Sequence, residues 1–347
     1  MIFIDNYLFS SVQPSNLMID ACSICQLNCP RCPVTTMGYE DNIKKGYLDV
    51  SNFEKLLKNN KRIVTVRIDS FGESLLNPHF GELIRVAHDN NVRVKCDVGV
   101  NLNTVSEENI EKIVKYNLIS LNCSIDGATQ ETYEKYRVNG NFKTVIDNIK
   151  SINKYKEKYN TKYPVLKWQF IVFGHNEHEI SKAKELAHEL NMTFYPKTSW
   201  DQDFSPINNT ELVLRQTGWK YASREEQEEA EKKSFARNSC YYLWKFPRIS
   251  WDGSVTGCCW NTWESFGGNA FENYHNAINS EKIIYARKML CNIVPERRDI
   301  PCSQCQMYKM MKETGAFIKR SEIIEIMKIK KTIMRYLNPM NYIRSVL

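Results

Sequence analysis

Five apolar, strand-like runs alternate with amphipathic helical patterns over the first 190 residues, and this alternation limits the fold more than any other feature. The runs are 16–21, 64–70, 92–98, 119–125 and 168–173, and the helical patterns are 51–58, 80–89, 107–116, 142–155 and 177–190. Strand–helix alternation of this kind predicts βα units and a parallel sheet. Two helix starts carry cap signals. Ser106 precedes Glu107 and Glu108, and Ser51-Asn-Phe-Glu54 reads as a capping box. From 191 to 218 the period is lost, a charged helix follows at 224–233, and Gly and Trp become frequent.

The chain has 347 residues, 42% of them apolar and 25% charged. That is a globular composition, sufficient for about two domains. No apolar run is long enough to span a bilayer, and the start lacks the basic n-region of a secretory signal, so a cytoplasmic location is expected. The net charge is +7, but the last forty residues hold nine Lys/Arg against three Glu. A nearly neutral body argues against a nucleic-acid footprint.

Twelve cysteines stand at 22, 25, 29, 32, 96, 123, 240, 258, 259, 291, 302 and 305. In a reducing compartment such grouping points to metal binding or catalysis rather than disulfides. Cys25-x3-Cys29-x2-Cys32 directly follows the first predicted strand. This places three thiols at the strand's C-terminal end, the face where barrel-like α/β folds put chemistry. Three thiolates on a [4Fe–4S] cluster leave one iron open to a small molecule. Zinc, with Cys22 or a distant residue as fourth ligand, is the alternative from spacing alone. Further on, Cys240, Cys258, Cys302 and Cys305 number enough for a closed cluster or a structural zinc.

The first motif resembles that of the radical S-adenosylmethionine (SAM) enzymes, although Arg31 stands where an aromatic residue is usual. Downstream, Asp69-Ser-Phe71-Gly72-Glu73 is similar to the family's Gly-Gly-Glu-Pro motif. Asn101 resembles the Asn that follows the third strand, and Ser124-Ile-Asp126-Gly127 through Arg137 resembles the fourth strand end. The resemblance implies a partial (β/α)6 TIM-like barrel with Cys25, Cys29 and Cys32 on a [4Fe–4S] cluster. It also implies SAM contacts from Gly72, Glu73, Asn101, Ser124, Asp126 and Arg137, with Glu73 receiving the SAM amino group. Cys240, Gly253-x4-Cys258 and Cys302-x2-Cys305 are similar to the C-terminal SPASM/twitch domains, which implies one auxiliary [4Fe–4S] cluster on these four cysteines. Cys259, beside a ligand, is then the candidate hydrogen-atom donor, though it could instead replace Cys258 as a ligand. Cys22, Cys96, Cys123 and Cys291 are expected to be core or inert.

The expected organisation is an N-terminal extension (1–15), a core barrel (16–215), an auxiliary-cluster domain (216–310) and a basic amphipathic tail helix (311–347). The tail is either packed on the domain or held against an anionic membrane surface. By resemblance, SAM is cleaved to a 5′-deoxyadenosyl radical that takes hydrogen from a C–H bond, with flavodoxin or ferredoxin as electron donor. The early position of Cys25 tilts the substrate toward a carbohydrate or small polar metabolite, with a peptide as the alternative. Trp200, Trp244, Trp260 and Trp263 are available for stacking on a sugar or for the core. A zinc-binding interaction protein is the non-enzymatic alternative.

Overall fold

The structure is a computed structural model and describes residues 5–36, 44–201, 203–232 and 234–327. The chain divides into two compact units. One holds Ile19–Lys58 and Thr65–Ser234; the other holds Met1–Met18, Asn59–Val64 and Phe235–Leu347. The division therefore falls at Phe235, and the N-terminal residues belong with the C-terminal unit.

The first unit is an α/β repeat. After β1 (Asn16–Ile19), whose residues up to Met18 fall in the other unit, come α1 (Val50–Asn59), β2 (Thr65–Arg67), α2 (Phe80–Asp89), β3 (Arg93–Val100), α3 (Glu107–Lys115) and β4 (Ser120–Ser124). The chain continues through α4 (Gln130–Tyr136), α5 (Phe142–Lys158), β5 (Val165–Val172), α6 (Ile180–Glu189) and β6 (Thr193–Thr198). Strands β2 to β6 pair in sequence order, all parallel, with Thr65 opposite Arg93, Ser120 opposite Val165 and Lys167 opposite Thr193. This is the βα succession of a partial barrel. Beyond β6 lie α7 (Thr210–Thr217) and α8 (Arg224–Glu231).

Strand β6 falls in the stretch where no period was legible. Its sequence, Thr-Phe-Tyr-Pro-Lys-Thr, is interrupted by Pro196 and is nowhere fully buried. It pairs only with β5 within this unit, and a proline without an N–H is tolerated on such an edge. The cap of α1 also differs from expectation. Asp49, not Ser51, receives the Asn52 N–H at 2.9 Å, and the Ser51 hydroxyl donates to Asp49. Ser106 caps α3 as expected, accepting from the Asn109 N–H at 3.2 Å.

In the second unit, β7 (Arg248–Ile249) and β8 (Val255–Gly257) form an antiparallel hairpin, followed by α9 (Ala270–Ala277), α10 (Glu281–Leu290), α11 (Gln306–Thr314) and α12 (Arg320–Ile326). The N-terminal residues are stitched into it. Trp244 Nε1 donates to the Leu8 carbonyl at 2.7 Å, and Asn279 exchanges two hydrogen bonds with Val12. The expected tail helix from 311 is interrupted. Gly315 takes a left-handed φ of 68° and ends α11, and α12 begins five residues on. The rest of the basic tail, from Lys328, lies outside the described residues. Among the described residues no helix is long and apolar enough to cross a membrane.

Candidate functional site

Cys25, Cys29 and Cys32 occupy the loop just beyond β1, and that loop is fixed by backbone bonds to other strand ends. Glu73 N–H donates to the Ile24 carbonyl at 2.7 Å, Asn28 N–H to Val138 at 3.1 Å, and Ala21 N–H to Ile68 at 3.2 Å. Gly72 is wedged beside it at φ 67°. A Cβ there would sit 2.5 Å from the Cys22 carbonyl oxygen and from Ser23 backbone carbon. Both the left-handed φ and the backbone approach require glycine. Gly72→Ala is therefore expected to cost roughly 1–3 kcal/mol of strain and to displace the cysteine loop. Lower iron incorporation on reconstitution, at unchanged helical content, would register it; full incorporation would contradict this account of Gly72.

Around the thiols, side chains from successive strand ends converge. Asn101 Nδ2 lies 3.8 Å from Cys25 Sγ, while its Oδ1 accepts from Gln26 Nε2 at 2.8 Å. Glu73 accepts from the Asn101 N–H at 2.6 Å and from Leu75 N–H at 3.1 Å. Arg137 Nη1 points at Cys29 Sγ at 3.7 Å and its Nε pairs with Asp126 at 2.7 Å. The second Asp126 oxygen accepts from Ile171 N–H at 2.6 Å. Asp126 is fully buried and its oxygens are engaged, so in this arrangement it orients Arg137. Ser124, at the end of β4, accepts from Gln169 Nε2 through its hydroxyl at 3.4 Å.

Burial dominates the electrostatics. It pushes the Cys25 thiol up to about 12, raises Cys29 against the opposing charge of Arg137, and lifts Glu73 to about 7. Thiols so disfavoured as free thiolates ionise when a cation takes the proton's place. Asn101 and Arg137 supply N–H donors aimed at sulfur, the outer support that metal-bound thiolates use. The donor set thus fits an iron–sulfur cluster. Cys22 is fully buried, and its sulfur accepts from its own loop's Ile24 N–H at 3.2 Å. Cys96 and Cys123 are fully buried strand residues.

Asp69, Gln26 and an aromatic group were not singled out from sequence. Asp69 lies two residues past β2 and accepts from the N–H groups of Asp97, Val98 and Gly99 at 3.2, 2.7 and 2.8 Å, which holds the bulged end of β3. Its place at the head of the Gly72-Glu73 motif was the available signal. Tyr136, Phe173 and Phe204 pack around Cys29 and Leu27. Arg31, standing where an aromatic was expected, turns instead to Asp201 at 3.0 Å.

In the second unit, Cys240, Cys258, Cys302 and Cys305 line one small cavity with Leu243, Asn261, Trp263, Leu290 and Tyr308. The β7–β8 hairpin presents Cys258, and Gly253 at φ 86° sits where a Cβ would meet Asn269 Oδ1 at 2.3 Å. Burial raises the thiol pKa of Cys240, Cys258 and Cys302, Cys258 to about 12. A cavity walled by four thiols and apolar side chains fits a closed cluster in its donor chemistry. Cys259 is outside the cavity lining, with its thiol 3.5 Å from Ser239 Oγ. Trp244 is core, and Trp263 Nε1 is bound to the Pro301 carbonyl. Among the described residues no three His, Cys, Asp or Glu side chains close on a single-ion position.

Residues 21–187 match the profile of the Radical SAM superfamily. An AdoMet-dependent heme synthase of Methanosarcina barkeri (strain Fusaro / DSM 804) is 28% identical over 173 residues, 49% of this chain. The match spans 46% of that relative, less than half its length. Among solved structures, Streptococcus suis SuiB bound to its precursor peptide SuiA aligns with a TM-score of 0.59 at 13% identity, covering 87% of this chain and 71% of SuiB. SuiB bound to S-adenosylmethionine gives 0.57 at 12% identity over 85% and 71% of the two chains. Native anSMEcpe with bound AdoMet gives 0.54 at 15% identity over 86% and 88%. At these identities the likeness to the solved structures is one of fold.

Proposed function

Through residues 21–187 this chain belongs to the radical SAM superfamily, and from that premise we propose that it cleaves SAM reductively and oxidises or epimerises a carbohydrate or small polar metabolite. The observation that carries the reading is the convergence of Cys25, Cys29 and Cys32 with Asn101 and Arg137, each aimed at a sulfur, and with the buried Glu73 behind them. When bound, a [4Fe–4S] cluster and SAM together supply a 5′-deoxyadenosyl radical able to take hydrogen from an unactivated C–H bond. Cys25, Cys29 and Cys32 hold the cluster. Asn101 and Arg137 orient the thiolates, Glu73 and Ser124 face SAM, and Asp126 positions Arg137. The packed Tyr136, Phe173 and Phe204 keep water from Cys29. A flavodoxin or ferredoxin is the proposed electron donor.

Support for a small substrate comes from a polar cavity of about 300 Å³ at β6, within the range of small-molecule sites. A peptide is the second reading, since SuiB was solved with its precursor peptide. Anaerobic reconstitution with iron and sulfide tests the core proposal. A brown protein that converts SAM and dithionite to methionine and 5′-deoxyadenosine supports it; a colourless protein with stoichiometric zinc and no cleavage overturns it.

Cys240, Cys258, Cys302 and Cys305 are proposed to hold one auxiliary cluster, which when bound supplies a second one-electron site. Cys258→Ala is expected to remove about four irons per chain, whereas Cys259→Ala leaves the iron count unchanged. The reverse pattern in an iron assay would reassign the ligand to Cys259. Cys259 is kept as the proposed hydrogen-atom donor of an epimerisation, and incorporation of solvent deuterium into product that persists in Cys259→Ala would dismiss that role.

A further inference from the structure

The cavity at the C-terminal half of β6 is lined by more cations than carboxylates. Its lining includes Tyr195, Lys197, Trp219, Lys220, Arg224 and Glu231, three cations against one carboxylate. Lys197 Nζ has one acceptor, Gln169 Oε1 at 3.3 Å. Arg224 lies against the next turn of chain, its Nε and Nη2 donating to the carbonyls of Ser199 and Thr198 at 3.3 and 3.2 Å. The guanidinium also stacks 3.7 Å from the Trp200 ring. Among the described residues, Nη1 of Arg224 has no acceptor, and neither cation forms an ion pair.

Two half-buried cations without an anion between them repel. Burial lowers the pKa of Lys197, and the charges of Arg224 and Arg137 lower it further while Asp126 and Asp69 oppose; on Arg224, Glu228 and Glu225 partly offset burial. A phosphate, sulfate or carboxylate placed between them would relieve that repulsion through charge-assisted hydrogen bonds. The aromatic walls, Tyr195 and Trp219, suit the carbon skeleton attached to such a group. A hydrogen-bonded relay leads from Lys197 toward the end of β4. Gln169, the partner of Lys197, donates through Nε2 to Ser124 Oγ at 3.4 Å, so one side chain separates Lys197 from a residue proposed to face SAM.

We infer that this cavity is an oxyanion subsite in which Lys197 and Arg224 grip the phosphate, sulfate or carboxylate of the substrate whose C–H bond reacts. The identification of the ligand as substrate rests on the proposed SAM chemistry; the anion site itself rests on the cavity and its two cations.

Calorimetric titration of the anaerobically reconstituted full chain with inorganic phosphate, at fixed low salt and with saturating SAM, tests it. Saturable one-to-one binding is expected. Lys197→Met and, on a separate element, Arg224→Gln should each weaken it about tenfold or more, as loss of a charged hydrogen bond does. Lys197→Arg should restore most of the affinity. Absence of saturable binding, or equal binding by wild type and both neutral variants, overturns the subsite. Competition between SAM and phosphate, with SAM affinity falling in the same variants, would assign the cations to the SAM carboxylate and also overturn it. Phosphate binding by a protein that never yields 5′-deoxyadenosine would sink the SAM-cleavage reading and leave the anion site standing.

Discussion

Alanine in place of Cys25, Cys29 and Cys32 together is expected to bring 5′-deoxyadenosine formation down to the uncatalysed background while about half of the iron is retained. The reason lies in how the thiols are distributed. The three loop cysteines sit within the first unit, and the four cavity cysteines sit within the second. Two tetranuclear clusters on separate ligand sets would hold about eight irons, of which about four survive loss of the first set. Iron and sulfide assays beside a chromatographic assay for 5′-deoxyadenosine distinguish the outcomes. If all iron disappears, the Cys240 cavity does not hold its own cluster. If cleavage persists, the loop cysteines are not the ligands of the reacting centre. Cys22→Ala serves as a contrast, because its sulfur is turned to the backbone of its own loop; it is expected to retain both iron and cleavage.

The second large effect concerns stability. Arg287 is fully buried and its guanidinium donates to the carbonyls of Leu243, Phe9 and Ile278 and to Asn279 Oδ1, at distances of 2.6–3.0 Å. Among the described residues it has no carboxylate partner. Burial lowers its pKa to about 9, still well above neutrality, so it is charged at working pH and carbonyl dipoles stand in for water. In Arg287→Met, Asn279 Oδ1 keeps the Val12 N–H, but the three buried carbonyls lose their donor. Each costs about 1–3 kcal/mol, and the expected total is about 3–5 kcal/mol, as for other broken buried polar networks. With about 2–4 °C per kcal/mol in a unit of this size, the lowest thermal transition should fall by roughly 10 °C. Scanning calorimetry reads this directly, and a shift below about 2 °C would show that the carbonyls find other donors. Arg287→Lys should fall between the two, since one ammonium cannot reach all four acceptors.

Much of the first unit was legible because its signals are local. A helix of period 3.6 and a cap such as Ser106 depend on neighbours a few residues away, and so does a thiol triplet spaced over eight residues. Strand β6 escaped because Pro196 and half-exposed positions blur a strand that lies at the edge of its unit's sheet. Asp49 displaced Ser51 as the cap of α1 for a similarly small reason: both can accept the hydrogen bond, and one turn of backbone decides which does. Gln26 and Gln169 carry no motif of their own, and Asp69 only heads one. Their importance comes from where β3, the cysteine loop and β4 pass beside them.

Local spacing was enough to specify the βα repeat, the cysteine triplet at the first strand end and the pairing of Gly72 with Glu73. These are features in which spacing along the chain already dictates spacing in the fold. Only the tertiary structure sets Cys258, and not Cys259, in the lining of one cavity with Cys240, Cys302 and Cys305, and engages the Cys22 sulfur with the Ile24 N–H. It alone placed residues up to Met18 in the C-terminal unit, with Trp244 and Arg287 bound to Leu8 and Phe9. It also set Lys197 and Arg224 on one cavity. Such contacts join segments tens to hundreds of residues apart, and their geometry is fixed by how buried surfaces pack and how each buried polar group finds a partner.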